Sequence, residues 1–99
     1  MAQIKSITED QAKEALNLHI EDPEFDFLKA KQMAKEKAFE KCDYPMILSW
    51  MNGKTGESYP NYECGVEGRP FWIRYAEGRG ANLTIDFNDG EYIFMILKM

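Results

Sequence analysis

The chain has 99 residues, 44% of them hydrophobic and 29% charged, which is the composition of one soluble globular domain covering residues 1–99. Its formal charge of −5 at pH 7 disfavours a nucleic-acid partner, because nucleic-acid-binding domains usually carry a basic field. It has no apolar run long enough to span a bilayer and no apolar signal sequence, so we expect a cytoplasmic, prokaryotic protein with no membrane partner.

The first predicted element is a helix that begins near Thr8 and ends before Pro23. Thr8 and Gln11 have the spacing of a capping box, in which two side chains bond reciprocally to backbone N–H groups of the first turn. Small, apolar and histidine side chains then recur at the spacing of one helix face: Ala12, Ala15, Leu16, His19 and Ile20. The pattern predicts that His19, the only histidine, is packed in the core; a ligand or catalytic role is the alternative.

A second helix is predicted between Pro23 and Cys42. Asp22 suits its N-cap, and Pro23 suits the first turn, where the missing N–H is not needed. The expected buried row contains three alanines, which would let the helix approach its neighbour closely: Phe27, Ala30, Ala34, Ala38 and Cys42, flanked by Leu28 and Phe39. The two helices form a predicted helical layer over residues 8–42.

An antiparallel sheet is predicted over residues 45–98, after Tyr44-Pro45 breaks the helical pattern. The stretches "MILSWM" and "SYPNYECGV" are predicted to be strands joined by a turn. Pro60 predicts that the second of these is an edge strand, because proline cannot donate to the hydrogen-bond ladder.

A hairpin is predicted next, with residues 79–81 as its loop. Apolar and polar residues alternate on both sides of this loop, which predicts that strand 71–76 pairs with strand 83–87. In that register Arg74 would lie directly opposite Asp86.

A second hairpin is predicted with residues 88–90 as its loop. Ile85 would then pair with Ile93, and Gly90 would take the positive φ of a type I turn with a G1 bulge. The predicted fold is α+β: two N-terminal helices packed on one face of a four- or five-stranded antiparallel meander sheet.

The other face of this sheet would be open, and the candidate binding residues lie on it or beside it: Trp72, Arg74, Arg79, Asp86, Tyr92 and Phe94. One interpretation is a protein-contact surface with aromatic anchors. Another is a small-molecule or anion site, in which Arg74 and Arg79 bind an anionic group, Asp86 orients Arg74, and the aromatics supply a hydroxyl and a stacking wall. A third interpretation needs no function: the aromatics are partly covered, and Arg74 and Asp86 stabilise the sheet as a cross-strand pair.

No catalytic or metal-binding motif is recognised. "GRG" lacks the third glycine of a dinucleotide fingerprint, and the glycine of "DFNDGE" comes one position too early for a calcium loop. Ser49, Cys42 and Cys64 lie outside any nucleophile motif, and two thiols fit a reduced cytosolic protein. We therefore predict no cofactor and a non-enzymatic interaction or assembly module, self-associating through the open sheet face or an edge strand. The alternative is a small-molecule or anion-binding domain centred on Arg74 and Asp86.

Several motifs between residues 23 and 94 are distinctive: "ILSW", "KTGE", an "EC" before a glycine, "YAEGRGANL" and "DFNDGEYIF". In these motifs the chain resembles a small family of prokaryotic single-domain proteins with a domain of unknown function. The resemblance implies a compact cytosolic domain and supplies no activity, substrate or catalytic residue.

Overall fold

A five-stranded mixed sheet forms the centre of the structure, a computed structural model that describes residues 14–61 and 70–99. The elements in chain order are β1 (Glu14–Leu18), α1 (Phe27–Phe39), β2 (Met46–Asn52), β3 (Ser58–Tyr59), α2 (Phe71–Gly78), β4 (Leu83–Phe87) and β5 (Tyr92–Leu97). The strand order across the sheet is β1-β4-β5-β2-β3. β1 runs parallel to β4, while the other neighbouring strands are antiparallel. The predicted antiparallel meander is therefore wrong. Across the described ranges, no helix is long and apolar enough to cross a membrane.

Helix α1 confirms the core of the second predicted helix. Its N-cap is Asp26 rather than Asp22, since Asp26 Oδ1 accepts a hydrogen bond from the Lys29 N–H at 2.9 Å. Ala30, Ala34 and Ala38 are fully buried and belong to one cluster with the inner residues of β4 and β5. As predicted, this row of small side chains lets the helix lie close to the sheet.

The first predicted helix is wrong where the structure describes it, because residues 14–18 form strand β1. Leu16 and Leu18 pack against the core, whereas Ala15 and Asn17 between them are exposed, so burial alternates with the period of a strand. His19 is exposed as well, with Nε2 3.1 Å from Glu21 Oε2. The predicted capping box lies outside the described residues. Such a short apolar pattern fits a helix or a strand, and pairing with β4 decides between them.

Residues 71–78 form helix α2, where alternation predicted a strand. Trp72 and Ala76 lie four residues apart and are both buried, because that spacing places them on one face of a helix. They pack with Leu48 and Met95 of the sheet. Burying the helix face that carries Trp72 and Ala76 stabilises residues 71–78 as a helix. This gain outweighs the preference of the neighbouring aromatic and β-branched residues for strands.

The "GRG" segment is the C-terminal cap of α2 instead of a hairpin loop. The Gly80 N–H donates to the Glu77 carbonyl at 3.1 Å, and the Ala81 N–H donates to the Ala76 carbonyl at 2.9 Å. Gly80 has a φ of 90°. This pair of hydrogen bonds around a left-handed glycine is a Schellman motif, which ends the helix and leads the chain into β4.

The β4–β5 hairpin is present, but its register differs by one residue from the prediction. Ile85 pairs with Phe94 rather than with Ile93, because four residues, 88–91, separate the strands. The positive φ predicted for Gly90 is confirmed at 97°. A shift of one residue moves every side chain to the opposite face of the sheet, so Phe94 points to the face that α1 covers.

The β2–β3 hairpin and the edge position of its second strand are confirmed. β3 ends before Pro60, and residues 62–66 of the predicted strand, with Cys64, lie outside the described residues.

The two helices lie on opposite faces of the sheet, not together on one face. α1 covers the face that includes Leu83, Ile85 and Phe94, and α2 covers the face that includes Leu48 and Met95. The correction follows from β1 replacing the first predicted helix and from α2 replacing a predicted strand. As a result, the open aromatic sheet face does not exist in this structure.

Candidate functional site on helix α1

The aromatic residues of the predicted site are in the core. Trp72 packs beneath α2 with Leu48 and Met95. Tyr92 and Phe94 lie beneath α1, with ring centroids 6.0 and 5.5 Å from that of Phe27. Trp72 belongs to the core cluster between α2 and the sheet, and Tyr92 and Phe94 belong to the cluster between α1 and the sheet. The three side chains therefore do not form one surface.

The two arginines of the predicted site lie on or next to α2. Arg74 Cζ is 5.4 Å from the Phe71 ring centroid, and Arg79 Cζ is 3.7 Å from the Tyr75 ring centroid. The Phe71 and Tyr75 rings are themselves 6.0 Å apart, so guanidinium groups and aromatic rings alternate along the helix. Both contacts are of the cation–π type.

Asp86 is on β4, and its Oδ1 accepts a hydrogen bond from the Gly90 N–H at 2.6 Å. The predicted cross-strand pair of Arg74 and Asp86 is wrong, since Arg74 is on a helix and Asp86 pairs in register with Asn17 and Ile93. A binding role for Arg74 and Arg79 stays a prediction.

Among the helices and strands of the described residues, the most exposed large apolar side chains are on α1. Leu28 is 72% exposed and Phe39 is 59% exposed, on the side opposite the buried alanines. We define the outer face of α1 by its exposed residues: Leu28, Lys29, Gln32, Lys35, Glu36, Phe39 and Glu40. Exposed apolar groups with a polar rim are a feature of protein contact surfaces.

Two shallow grooves adjoin this surface. One, of about 590 Å³, is bounded by Leu28 and Phe39 at its ends, with Lys31 and Lys35 between them. The other, of about 450 Å³, runs from Phe39 to Met46 at the start of β2. Phe39 lines both grooves, so it is the central apolar group of the surface.

The four charged residues of the outer face of α1 balance, and Lys31, which lines both adjoining grooves, adds one positive charge beside them. Lys29 and Lys35 are matched by Glu36 and Glu40, although the whole chain carries −5. In the part of the chain that the structure describes, Lys35, Glu36 and Glu40 form no ion pair, and Lys29 has only a 3.8 Å contact with Glu24. These groups are therefore available to a partner.

An ion-pair cluster fixes the C-terminal end of α1 to the sheet. Glu14 on β1 accepts hydrogen bonds from Lys41 Nζ at 2.6 Å and from Lys98 Nζ at 2.9 Å. The hydrogen bond from Lys41, followed by that from Lys98, lowers the pKa of Glu14 below its usual value. Lys41 comes two residues after the end of α1, so this cluster links the C-terminal end of the helix to the sheet.

Other chemistry is sparse over residues 14–61 and 70–99. This part of the chain contains no group of three or more metal-ligating side chains that could hold an ion. Ser49 is fully buried in β2, and within the same ranges its hydroxyl has no hydrogen-bond partner. Neither groove beside α1 is lined by Ser49, so it adds nothing to this surface.

Sequence reasoning missed the outer face of α1 because the predicted helix places Leu28 and Phe39 at the margin of its buried row. Their spacing contains the signal. Eleven residues make about three helical turns, so both side chains lie on one line, which is well away from the alanine row.

Comparison with solved structures finds a neighbour, the crystal structure of a novel protein from Archeoglobus fulgidus DSM 4304. Its TM-score is 0.75 and it is 29% identical, covering 88% of this chain and 95% of that chain. No match to a curated protein was found. A family model described as a domain of unknown function, DUF5619, matches residues 13–96. That match includes all the motifs on which the resemblance is based, and the chain belongs to this family.

Proposed function

We propose that the protein is a non-enzymatic assembly module that associates with further copies of itself through the outer face of α1. The observation that carries this proposal is the exposure of Leu28 and Phe39 on a helix whose other side is packed in the core. Full burial of an exposed leucine or phenylalanine side chain is worth roughly 1.5–3 kcal/mol, and Leu28 and Phe39 keep more than half of that surface exposed, so a contact that covers both is favourable.

Local electrostatics favour the same surface. The net charge of −5 opposes the approach of two copies in most orientations. The outer face of α1 and its grooves carry both signs of charge in near balance, so two copies can meet there without the repulsion of the acidic chain as a whole. The proposed contact surface is therefore on helix α1, whereas the sequence predicted self-association through the open sheet face or an edge strand.

Light scattering and sedimentation velocity over increasing protein concentration test the proposal. We expect reversible self-association, and we expect the double variant Leu28→Ser/Phe39→Ser to be a folded monomer at all concentrations. Met99→Ser is the matched control, because Met99 is 55% exposed and lines neither groove. A wild-type protein that stays monomeric up to about 1 mM, where even weak complexes form, contradicts the proposal, as does unchanged association of the double variant.

We also propose that the protein is cytoplasmic and prokaryotic. The half-buried free thiol of Cys42 is typical of a reducing compartment, and the structural neighbour is archaeal. Detection in the soluble fraction of native cells, with Cys42 reduced, tests this placement.

A second candidate function is anion binding at α2. The observation that favours it is the pair of arginines ordered on aromatic rings, with Arg79 Cζ 3.7 Å from the Tyr75 centroid. A guanidinium group held in place loses less entropy when it binds a carboxylate or phosphate. Asp86, Tyr92 and Phe94 have no part in this version of the site.

Thermal shift with inorganic phosphate and pyrophosphate tests the second candidate. Ligand at about a hundred times its Kd stabilises a fold by roughly 2.7 kcal/mol. Arg79→Met should remove this shift and leave the fold intact. A shift that survives in the variant, or no shift with either anion, contradicts anion binding at α2.

A further inference from the structure

The outer face of α1 is complementary to itself when two copies of the helix run antiparallel. Resting on the proposed function, we infer that the assembly is a closed two-fold dimer in which each α1 recognises the other. A two-fold interface uses the same patch on both subunits and ends at two copies. A contact between different patches, such as Phe39 against the groove at Met46, would instead build a ring or an open chain.

Two rows of side chains make up the outer face of α1. Leu28, Gln32, Lys35 and Phe39 form the first row, at the i, i+4, i+7, i+11 spacing of one helix line. Lys29, Glu36 and Glu40 lie on the second row, which is displaced by one residue. When two helices pack antiparallel about a two-fold axis, each row meets the same row of the other copy.

The apolar row pairs with itself at one register. The two-fold axis crosses the contact at a height along the helix midway between the levels of Met33 and Ala34. Leu28 of one copy then lies level with Phe39 of the second copy. Gln32 then lies level with Lys35 of the second copy. Both contacts occur twice. Each end of the paired helices therefore buries one Leu28 and one Phe39 against each other.

The charged row is satisfied at the same register. Lys29 of one copy lies between the levels of Glu36 and Glu40 of the second copy, about 3 Å along the axis from each. Each ammonium group therefore meets two carboxylates, and this arrangement also occurs twice. That the apolar and charged rows agree on one register supports the antiparallel pairing.

A parallel arrangement is less favourable. A two-fold axis along the helices would bring the first row of one copy against the second row of the other. Lys29 would then meet Leu28, and Glu40 would meet Phe39. This would desolvate charges against apolar groups without a partner, and it would align the two helix dipoles unfavourably.

The contact is small, because a helix of 13 residues is about 20 Å long. We therefore expect a weak, concentration-dependent dimer rather than a permanent one. The ion pairs lie at the edge of the contact, so added salt should weaken the dimer.

Charge-reversal variants of the full chain test the antiparallel register. Lys29→Glu places three carboxylates together in each half of the contact, and Glu36→Lys/Glu40→Lys places three ammonium groups together. We expect each variant alone to dimerise at least about tenfold more weakly than the wild type, which corresponds to one decade in Kd. An equimolar mixture of the two should restore association as a heterodimer, since opposite charges then face each other. Lys37→Glu, the same charge change on another side of α1, is the matched control and should leave the Kd unchanged.

The outcomes separate the two proposals. Recovery of association in the mixture, measured by sedimentation velocity with one variant labelled, supports the antiparallel dimer, because an effect on folding cannot be repaired by a second molecule. If Leu28→Ser/Phe39→Ser abolishes association but the mixture does not recover it, the antiparallel register is wrong and the assembly function stands. If the wild type does not associate, the assembly function is wrong and the register is wrong with it. Circular dichroism of each variant confirms that α1 is intact.

Discussion

At the residue scale, Gly53 shows how a missing side chain lets two turns meet. The Gly53 N–H donates to the Glu91 carbonyl at 2.7 Å. A Cβ at this position would overlap the carbonyl oxygen of Gly90 and lie 3.1 Å from that of Glu91. Both atoms belong to the backbone, so they cannot rotate away. We expect Gly53→Ala to lower the free energy of unfolding by about 1–3 kcal/mol, measured by urea denaturation.

Gly78 supplies the control for this prediction. A Cβ at Gly78, the last residue of α2, meets no atom within 4 Å. Gly78→Ala should therefore be neutral or stabilise the fold by up to about 1 kcal/mol, the difference in helix propensity. Equal stability of Gly53→Ala and the wild type would show that the two turns are not in close contact.

Glu14 links the stability of the fold to pH. Hydrogen bonds from Lys41 and Lys98 lower its pKa in the folded protein from the ordinary value of 4.5. A carboxyl group with a lowered folded pKa contributes its stabilisation above the unfolded pKa and loses it as the pH falls through the folded value. We expect Glu14→Gln to be less stable than the wild type at pH 7 and to approach it in stability well below pH 4.5. Urea midpoints measured across this range check the prediction; a difference that is independent of pH would contradict it.

At the scale of elements, the end of α2 depends on a left-handed glycine. Gly80 has a φ of 90°, and a Cβ added there would have Leu97 Cδ1 as its nearest neighbour, at 3.8 Å. The cost of a side chain at this position is therefore conformational rather than steric. Gly80→Ala should destabilise the protein by about 1–2 kcal/mol, the cost of the left-handed region for an L-residue.

Gly80→Asn distinguishes this cause from a packing effect. Asparagine tolerates the left-handed region better than alanine, so thermal unfolding should rank the proteins as wild type, Gly80→Asn and Gly80→Ala, in order of falling stability. The reverse order of the two variants would contradict the Schellman assignment.

At the scale of the whole molecule, self-association and folding are thermodynamically linked. Binding that occurs only between folded copies stabilises the folded state by mass action. We expect the Tm of the wild type to rise with protein concentration in calorimetry, because the outer face of α1 is covered only in the dimer. The Tm of Leu28→Ser/Phe39→Ser should not depend on concentration. A concentration-independent Tm for both proteins would contradict assembly through this face.

Elements with strong local signals could be predicted from the amino-acid sequence. The alanine row fixed the buried side of α1, Pro60 fixed an edge strand, and Gly90 fixed a turn with positive φ. Each of these depends on the backbone chemistry or the periodicity of nearby residues, so no distant contact was needed. The clustering of Arg74 and Arg79 was likewise visible in the sequence, although the element that carries them was not.

Long-range contacts determined the secondary structure of residues 14–18 and 71–78. They also determined which helix covers each face of the sheet. β1 pairs in parallel with β4, far away along the chain, and no local pattern encodes such a pairing. Trp72 became buried because a helix placed it beside Ala76 over Leu48 and Met95. One extra residue in the β4–β5 loop turned Phe94 inward, since side chains on a strand alternate between the two faces. The candidate contact surface therefore moved from the sheet to α1, because the aromatic residues that suggested a binding face are the ones that the core buries.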